Sequence, residues 1–208
     1  MLLILYSDPL SGERPQVTMP TIYVIGGANG SGKTTVALDL LPTLGVLEYV
    51  NADAIATGLS PFNPESMNIQ AGRLMLQRIE GLSKAGADFA FETTLAARTF
   101  APFLRNCKAK SYIVNLLYFW LSSPDLAVQR VAWRVASGGH SIPEAVIRRR
   151  YERGRRNLFE LYLPLCDGWI VYDNSGVNLK MVAQRERDGQ TIVEDLESWR
   201  QITERSNV

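Results

Sequence analysis

Histidine is almost missing from this chain: His140 is the only one among 208 residues. A metal centre built on histidines is thereby excluded. Cysteine is nearly as scarce. Cys107 and Cys166 stand far apart and in no CxxC pair, so neither a disulfide framework nor a zinc site is encoded. Long apolar runs are lacking too. The longest, Tyr112 to Leu121, is interrupted by Asn115 and falls short of the ~20 residues that cross a bilayer. The opening MLLILY is too short for a signal-peptide core, and no basic residue precedes it. The expectation is a cytoplasmic protein with no membrane partner. Net charge is only +1, so no whole-molecule field draws nucleic acid or acidic lipid. There is no internal repeat and no low-complexity linker. What is present is a globular composition. Apolar residues make up 46% and charged residues 21%, which excludes a disordered chain, a coiled coil or a fibrous repeat. The length suits one domain with a sizeable core.

Short apolar runs alternate with helical spacing. Thr21 to Gly26 reads as a central strand, Lys33 to Leu41 as a helix stopped by Pro42, and Val46 to Val50 as a second strand. Pro64 to Ala85 has helical spacing and ends at Gly86; Asp88 to Phe91 is a third strand. Arg98 to Asn106 is expected to be helical, and Tyr112 to Leu121 gives the strongest strand signal. Ser123-Pro124-Asp125 has the chemistry of a helix start. Gly138-Gly139 breaks that helix. Ser141 and Glu144, at capping-box spacing, open another that runs to about Leu161. Trp169 to Tyr172 is a fifth strand. Asp188-Gly189 turns a C-terminal hairpin between Leu179–Arg185 and Thr191–Val193, and a short helix closes the chain. The fold class expected is α/β, a central parallel sheet with helices on both faces. Residues 1–18 read as an N-terminal extension, a candidate non-native segment with Met19 as a candidate start. Residues 19–208 form the single domain. Ligands of such sheets bind beyond the carboxyl ends of the strands.

Gly27-Ala28-Asn29-Gly30-Ser31-Gly32-Lys33-Thr34 fits GxxxxGK[ST] without mismatch, and Thr35 follows. It lies between an expected strand and an expected helix, the context that gives the motif meaning. Glycines let backbone N–H groups turn around phosphate oxygens, and the helix N-terminus adds positive charge. Lys33 neutralises terminal phosphates and the Thr34 hydroxyl suits Mg²⁺. ATP and Mg²⁺ are the cofactors this implies. No NKxD-like guanine-reading segment is present. Asp53, after the second strand, is placed either to accept a proton from an attacking hydroxyl or to cap a helix. Glu92, Thr93 and Thr94 after the third strand are placed to bind acceptor hydroxyls or a Mg²⁺-bound water, or else to cap the next helix.

Charge is concentrated in one segment. Residues 130–156 hold eight arginines against Glu144 and Glu152, a balance of +6. Arg130 and Arg134 share one helix face. After the Gly-Gly-His turn come Arg148, Arg149, Arg150, Arg153, Arg155 and Arg156. A helix–loop–helix lid over about 130–156 would place guanidinium groups on a transferring phosphoryl. The alternative is a solvated face, which must hold for some of these residues. His140 is expected to cap or pack in the turn.

Four segments in order, GGANGSGKTT, NAD at 51–53, FETTL at 91–95 and RVAWRVASGGHSIPEAVIRRRY at 130–151, resemble the zeta toxin family of phosphate-loop kinases, in particular its chromosomal, stand-alone branch. The resemblance runs from about Thr21 to Ser175. It implies phosphorylation of the amino-sugar 3′-hydroxyl of UDP-N-acetylglucosamine. Lys33 and Thr34 would hold ATP and Mg²⁺, and Asp53 would be the base. Glu92 and Thr94 match the E-x-T that holds the sugar nucleotide. Arg134 and one of Arg148, Arg149 and Arg150 match the phosphate clamp, with Arg148 favoured by spacing. Where the family often has arginine, this chain has Ala96, with Arg98 the nearest substitute. An antitoxin in trans is the partner the resemblance implies. Another small acceptor, a nucleoside or polyol, is the alternative. A nucleotide-dependent nucleic-acid binder ranks below both, because few aromatics accompany the arginines.

Overall fold

Seven strands form one sheet in the order β2-β3-β1-β4-β5-β6-β7. The structure is a computed structural model and describes residues 19–204. The extension expected over residues 1–18 therefore lies outside the described residues. Strands β1 (Thr21–Gly27), β2 (Tyr49–Val50), β3 (Phe89–Thr93), β4 (Ile113–Trp120) and β5 (Gly168–Asp173) are parallel. Strands β6 (Lys180–Arg185) and β7 (Ile192–Val193) add antiparallel at one edge, as the hairpin signal at Asp188-Gly189 predicts.

The near-continuous apolar runs are explained by two-sided burial. On β1, Ile22 and Val24 enter one core, with Leu104, Val114 and Tyr162. Tyr23 and Ile25 enter the other, with Ala37, Leu117 and Phe119. Fully burying such a side chain contributes about 1.5–3 kcal/mol, so neither face of the sheet tolerates a polar run.

Seven helices complete the described chain: α1 (Lys33–Leu40), α2 (Ala52–Leu59), α3 (Asn68–Ala85), α4 (Phe100–Lys108), α5 (Pro124–Ala136), α6 (Glu144–Asn157) and α7 (Leu196–Thr203). Four details differ from the sequence pattern. Pro42 does not stop the first helix outright. It enters a 3-10 turn, Leu41–Leu44, where a missing N–H costs nothing. The second strand is only Tyr49–Val50. Helix α2 entered the sequence reading only as the helix that Asp53 was placed to cap, without bounds. Its start is fixed by Asn51, whose side chain accepts the Asp53 and Ala54 N–H groups. Finally, Ser141 does not cap α6. Pro143 occupies that position, and beyond Asn157 the helix widens into a π turn, Leu158–Tyr162.

Candidate active site at the carboxyl edge of the sheet

Central β1 lies between β3 and β4, so the loop leaving it opens where strand connections diverge, the crevice in which α/β sheets bind ligands. The loop continues into α1 at Lys33. Lys33 is 5% exposed. Its Nζ donates to Ala28 O at 2.7 Å and stands 3.6 Å from Glu92 Oε1. Burial pushes its pKa down, opposed by the carboxylates of Glu92 and Asp53, while the charge of Arg134 adds to the lowering. Asn29 and Ser31 are also buried, and the Ser31 hydroxyl has no protein partner. A buried ammonium beside an orphaned hydroxyl fits anionic oxygens. Asn174, after β5, braces the loop by donating to Ser31 O at 2.8 Å. Thr34 and Thr35 are exposed on the first turn of α1.

Glu92 is the hub of the site. Its Oε2 accepts from Thr34 Oγ1 at 2.7 Å, Tyr49 Oη at 2.6 Å and Asn51 Nδ2 at 2.9 Å. Burial, then the Glu92 carboxylate, pushes the Tyr49 phenol upward, so it stays protonated and donates. Asn51 is fixed at both ends. Its Oδ1 accepts two N–H groups of α2, which leaves Nδ2 for Glu92. Because Asn51 caps α2, Asp53 is not needed as the cap and its side chain remains half exposed.

The loop after β3 is held by α6. Leu95 is fully buried with φ +58°, a strained conformation for leucine. Thr93 Oγ1 accepts the Leu95 N–H at 3.0 Å, and Asn157 Nδ2 donates to Leu95 O at 2.8 Å. Tyr162 Oη donates to Ala97 O at 2.5 Å. Gly154 makes the approach possible, because a Cβ there would collide with Thr94 O. Thr94 is thereby presented to the cavity.

That cavity, about 600 Å³, is bounded by Lys33, Asn51, Asp53, Glu92 and Thr94. Its outer wall carries Arg73 of α3 and Arg149, Arg150 and Arg153 of α6 beside Ile69, Met75 and Phe100. Arg150 Nη1 reaches Asn29 Oδ1 of the phosphate loop at 3.5 Å. Arg73, Arg149 and Arg153 make no hydrogen bond or ion pair among the described residues.

The structure does not bring Arg148 to this cavity. Its guanidinium pairs with Asp125 at 2.6 Å and Glu144 at 2.7 Å on the outside of the lid. Helical geometry explains this, since positions 148 and 150 point to different sides of α6. Arg98, the nearest substitute for the arginine that the family often has where this chain has Ala96, is exposed and does not line the cavity. Arg134 is brought close enough to act on Lys33, and its Nε is buried without a partner. Arg130 instead donates to Ser175 O at 3.0 Å. Arg155 ties α6 to the C-terminal segment through Ile202 O and Glu204 O. His140, expected to pack or cap with a catalytic role as the lesser alternative, places Nε2 3.7 Å from Asp53 Oδ2. Sequence reasoning missed Tyr49 and Arg73, and it named Arg153 only as one of the lid arginines. Tyr49 lay two residues before Asn51 on the same strand face, a usable signal. Arg73 had none, because its neighbours in the cavity come from other elements.

A parallel sheet ordered about a central strand, with a phosphate loop at its carboxyl end and a helical lid, defines a phosphate-loop kinase fold. The chain belongs to the zeta toxin family, whose model (Zeta toxin) matches residues 8–181. It is similar to a protein of Haemophilus influenzae described as uncharacterized, 31% identical over 125 residues that make up 60% of this chain and 88% of that one. Among solved structures it resembles the AvrRxo1-ORF1:-ORF2 complex with ATP. The TM-score is 0.71 at 19% identity, covering 89% of this chain and 64% of that one. It also resembles the PezAT chromosomal toxin–antitoxin system of Streptococcus pneumoniae, with TM-score 0.54 at 16% identity, covering 82% of this chain and 75% of that one. The chain thus spans less than two thirds of the AvrRxo1 chain. No described helix is long and apolar enough to cross a membrane.

Proposed function

We propose that the protein is an ATP-dependent kinase that transfers the γ-phosphoryl group to a hydroxyl, the 3′-hydroxyl of the amino sugar of UDP-N-acetylglucosamine. The observation that carries this reading is the single cavity that holds Lys33, Glu92 and Asp53 together with an arginine wall. The phosphate loop holds the triphosphate, and Lys33 gains the anion that its burial demands. The residues fit Mg²⁺: the Thr34 hydroxyl and the Glu92 carboxylate meet 2.7 Å apart at the mouth of the loop, hard oxygen donors of the kind the ion prefers. When bound, the ion screens phosphate charge.

Asp53 takes the acceptor proton as the hydroxyl oxygen forms its bond to the γ-phosphorus. The bond from that phosphorus to the bridging oxygen breaks, and ADP leaves. Arg134 and Arg150 stabilise the charge in flight; Arg150 replaces Arg148 in this role because it alone of the two reaches the phosphate loop. Glu92 sets the position of Thr34, and Thr94 faces the acceptor.

Arg73, Arg149 and Arg153 of that wall, without partners among the described residues, support a phosphate-bearing acceptor over a neutral nucleoside or polyol, since guanidinium groups pair best with phosphate. The lid also argues against a nucleic-acid track, because the outward-facing Arg148 is neutralised by acids. An antitoxin acting in trans is the partner proposed. The test is a screen of sugar nucleotides, nucleosides and polyols with γ-labelled ATP. Label on UDP-N-acetylglucosamine supports the reading. Label only on neutral acceptors removes it.

A further inference from the structure

The lid turn between α5 and α6 carries a residue that the kinase reading leaves unused. Gly138 and Gly139 shape this turn. Gly138 has φ +91°, and a Cβ at Gly139 would stand 2.7 Å from Arg134 Cγ. The Gly139 N–H returns to Arg134 O at 2.9 Å, and Arg134 Nη2 donates to His140 O at 3.4 Å. Ile142 packs the far side of the turn onto Leu121, Val131 and Ile147. The turn is therefore seated on Arg134 from one side and on a small apolar cluster from the other. This aims the His140 imidazole at Asp53, with Nε2 3.7 Å from Oδ2 and the two side chains 19% and 48% exposed. Among the described residues, His140 is the ion-pair partner of Asp53.

A half-exposed aspartate turns freely between rotamers, and a general base works only when one oxygen is held on the proton it takes. We infer that His140 is a positioning residue. The seated lid turn holds its Nε2 against Asp53 Oδ2 at ion-pair distance, which leaves Oδ1 to receive the acceptor proton. The inference rests on the reading of Asp53 as the base. His140 touches neither the phosphoryl group nor the acceptor in this scheme.

Two arms test it. The first needs no acceptor. His140 is the only histidine, so its imidazole resonances in a proton–carbon correlation spectrum are assigned without ambiguity. At one pH, Asp53→Asn should move them. Asp125→Asn, a change at the opposite end of α5, should not. Unmoved resonances in Asp53→Asn would overturn the contact. The second arm measures transfer from ATP to UDP-N-acetylglucosamine. His140→Ala should lower kcat by about 10- to 100-fold, the range for a misplaced catalytic group. KM for ATP should change by less than about 3-fold, since ground-state binding is untouched. His140→Gln, which keeps a donor near the Nε2 position, should recover most of the rate. In an Asp53→Asn background, His140→Ala should cost nothing further, because residues that act through one another are not additive. A full additional loss in that background, or a rise confined to the acceptor KM, would overturn positioning. If wild-type protein labels no UDP-N-acetylglucosamine, the acceptor assignment fails by itself, and the resonance arm still decides the His140 contact.

Discussion

Lys33 is 5% exposed and bound to a carbonyl and a carboxylate, whereas Arg73, Arg149 and Arg153 across the cavity are exposed and meet no partner among the described residues. One end of the cleft is finished before any ligand arrives. Its atoms come from consecutive residues on β1 and α1, braced by Glu92, Tyr49 and Asn51. The other end is assembled from α3, the loop after β3 and α6, and its charges wait for a ligand. Preorganised charge contributes most to a transition state. Exposed, flexible charge contributes to binding and to choice of substrate. The two ends should therefore fail differently when mutated.

The largest effect is expected at the finished end. Lys33→Ala should reduce transfer by roughly 10³-fold or more, as lost preorganised charge does in a water-poor site. Circular dichroism should show an intact fold. The next effect sharpens the boundary between the two ends. Arg150→Ala should lower kcat by about 10²-fold, the scale of one lost transition-state donor, while Arg148→Ala should stay within about 2-fold, as exposed ion pairs usually do. Steady-state kinetics on the pair decides between them, and equal losses would break the comparison. At the waiting end, Arg73→Ala and Arg153→Ala should each raise the acceptor KM about 10-fold with little change in kcat, the pattern of uniform binding. Lysine at either site should rescue poorly, for want of the two-pronged contact. The smallest catalytic effect belongs to Arg155 and Arg156. Arg155→Ala removes bonds to three carbonyls of the C-terminal segment and should lower Tm by a few degrees, since charged hydrogen bonds contribute about 1.5–3 kcal/mol. Its kcat should be unchanged. Exposed Arg156 should be silent in both measurements.

The same contrast explains what the sequence made legible. The phosphate loop is a local motif, so Gly27 to Thr34 could be read in full. Asp53 and Glu92 followed from their places after strands, because the sheet topology brings strand ends together. Helix α2 was legible only as something to be capped near Asp53; that Asn51 is its cap, which leaves Asp53 free, depends on the side-chain geometry. The choice of Arg150 over Arg148 depends on the rotation of α6, which is set by Gly154 against Thr94 O and by Asn157 on Leu95 O. Both contacts lie about sixty residues apart in the chain, and no local pattern announces them. His140 likewise meets Asp53 only through the fold. Which lid arginines lie on a solvated face was also not legible: the partners of Arg155 are carbonyls of the last described turn.

The central claim is that Asp53 serves chemistry rather than capping. The most direct test is the transfer rate of Asp53→Asn with saturating ATP and UDP-N-acetylglucosamine, measured beside its affinity for ATP. Asparagine keeps the shape and capping ability of aspartate but not its basicity. The account predicts a rate lowered by roughly 10²-fold or more, with ATP affinity within a few-fold of wild type. A near-normal rate would contradict it.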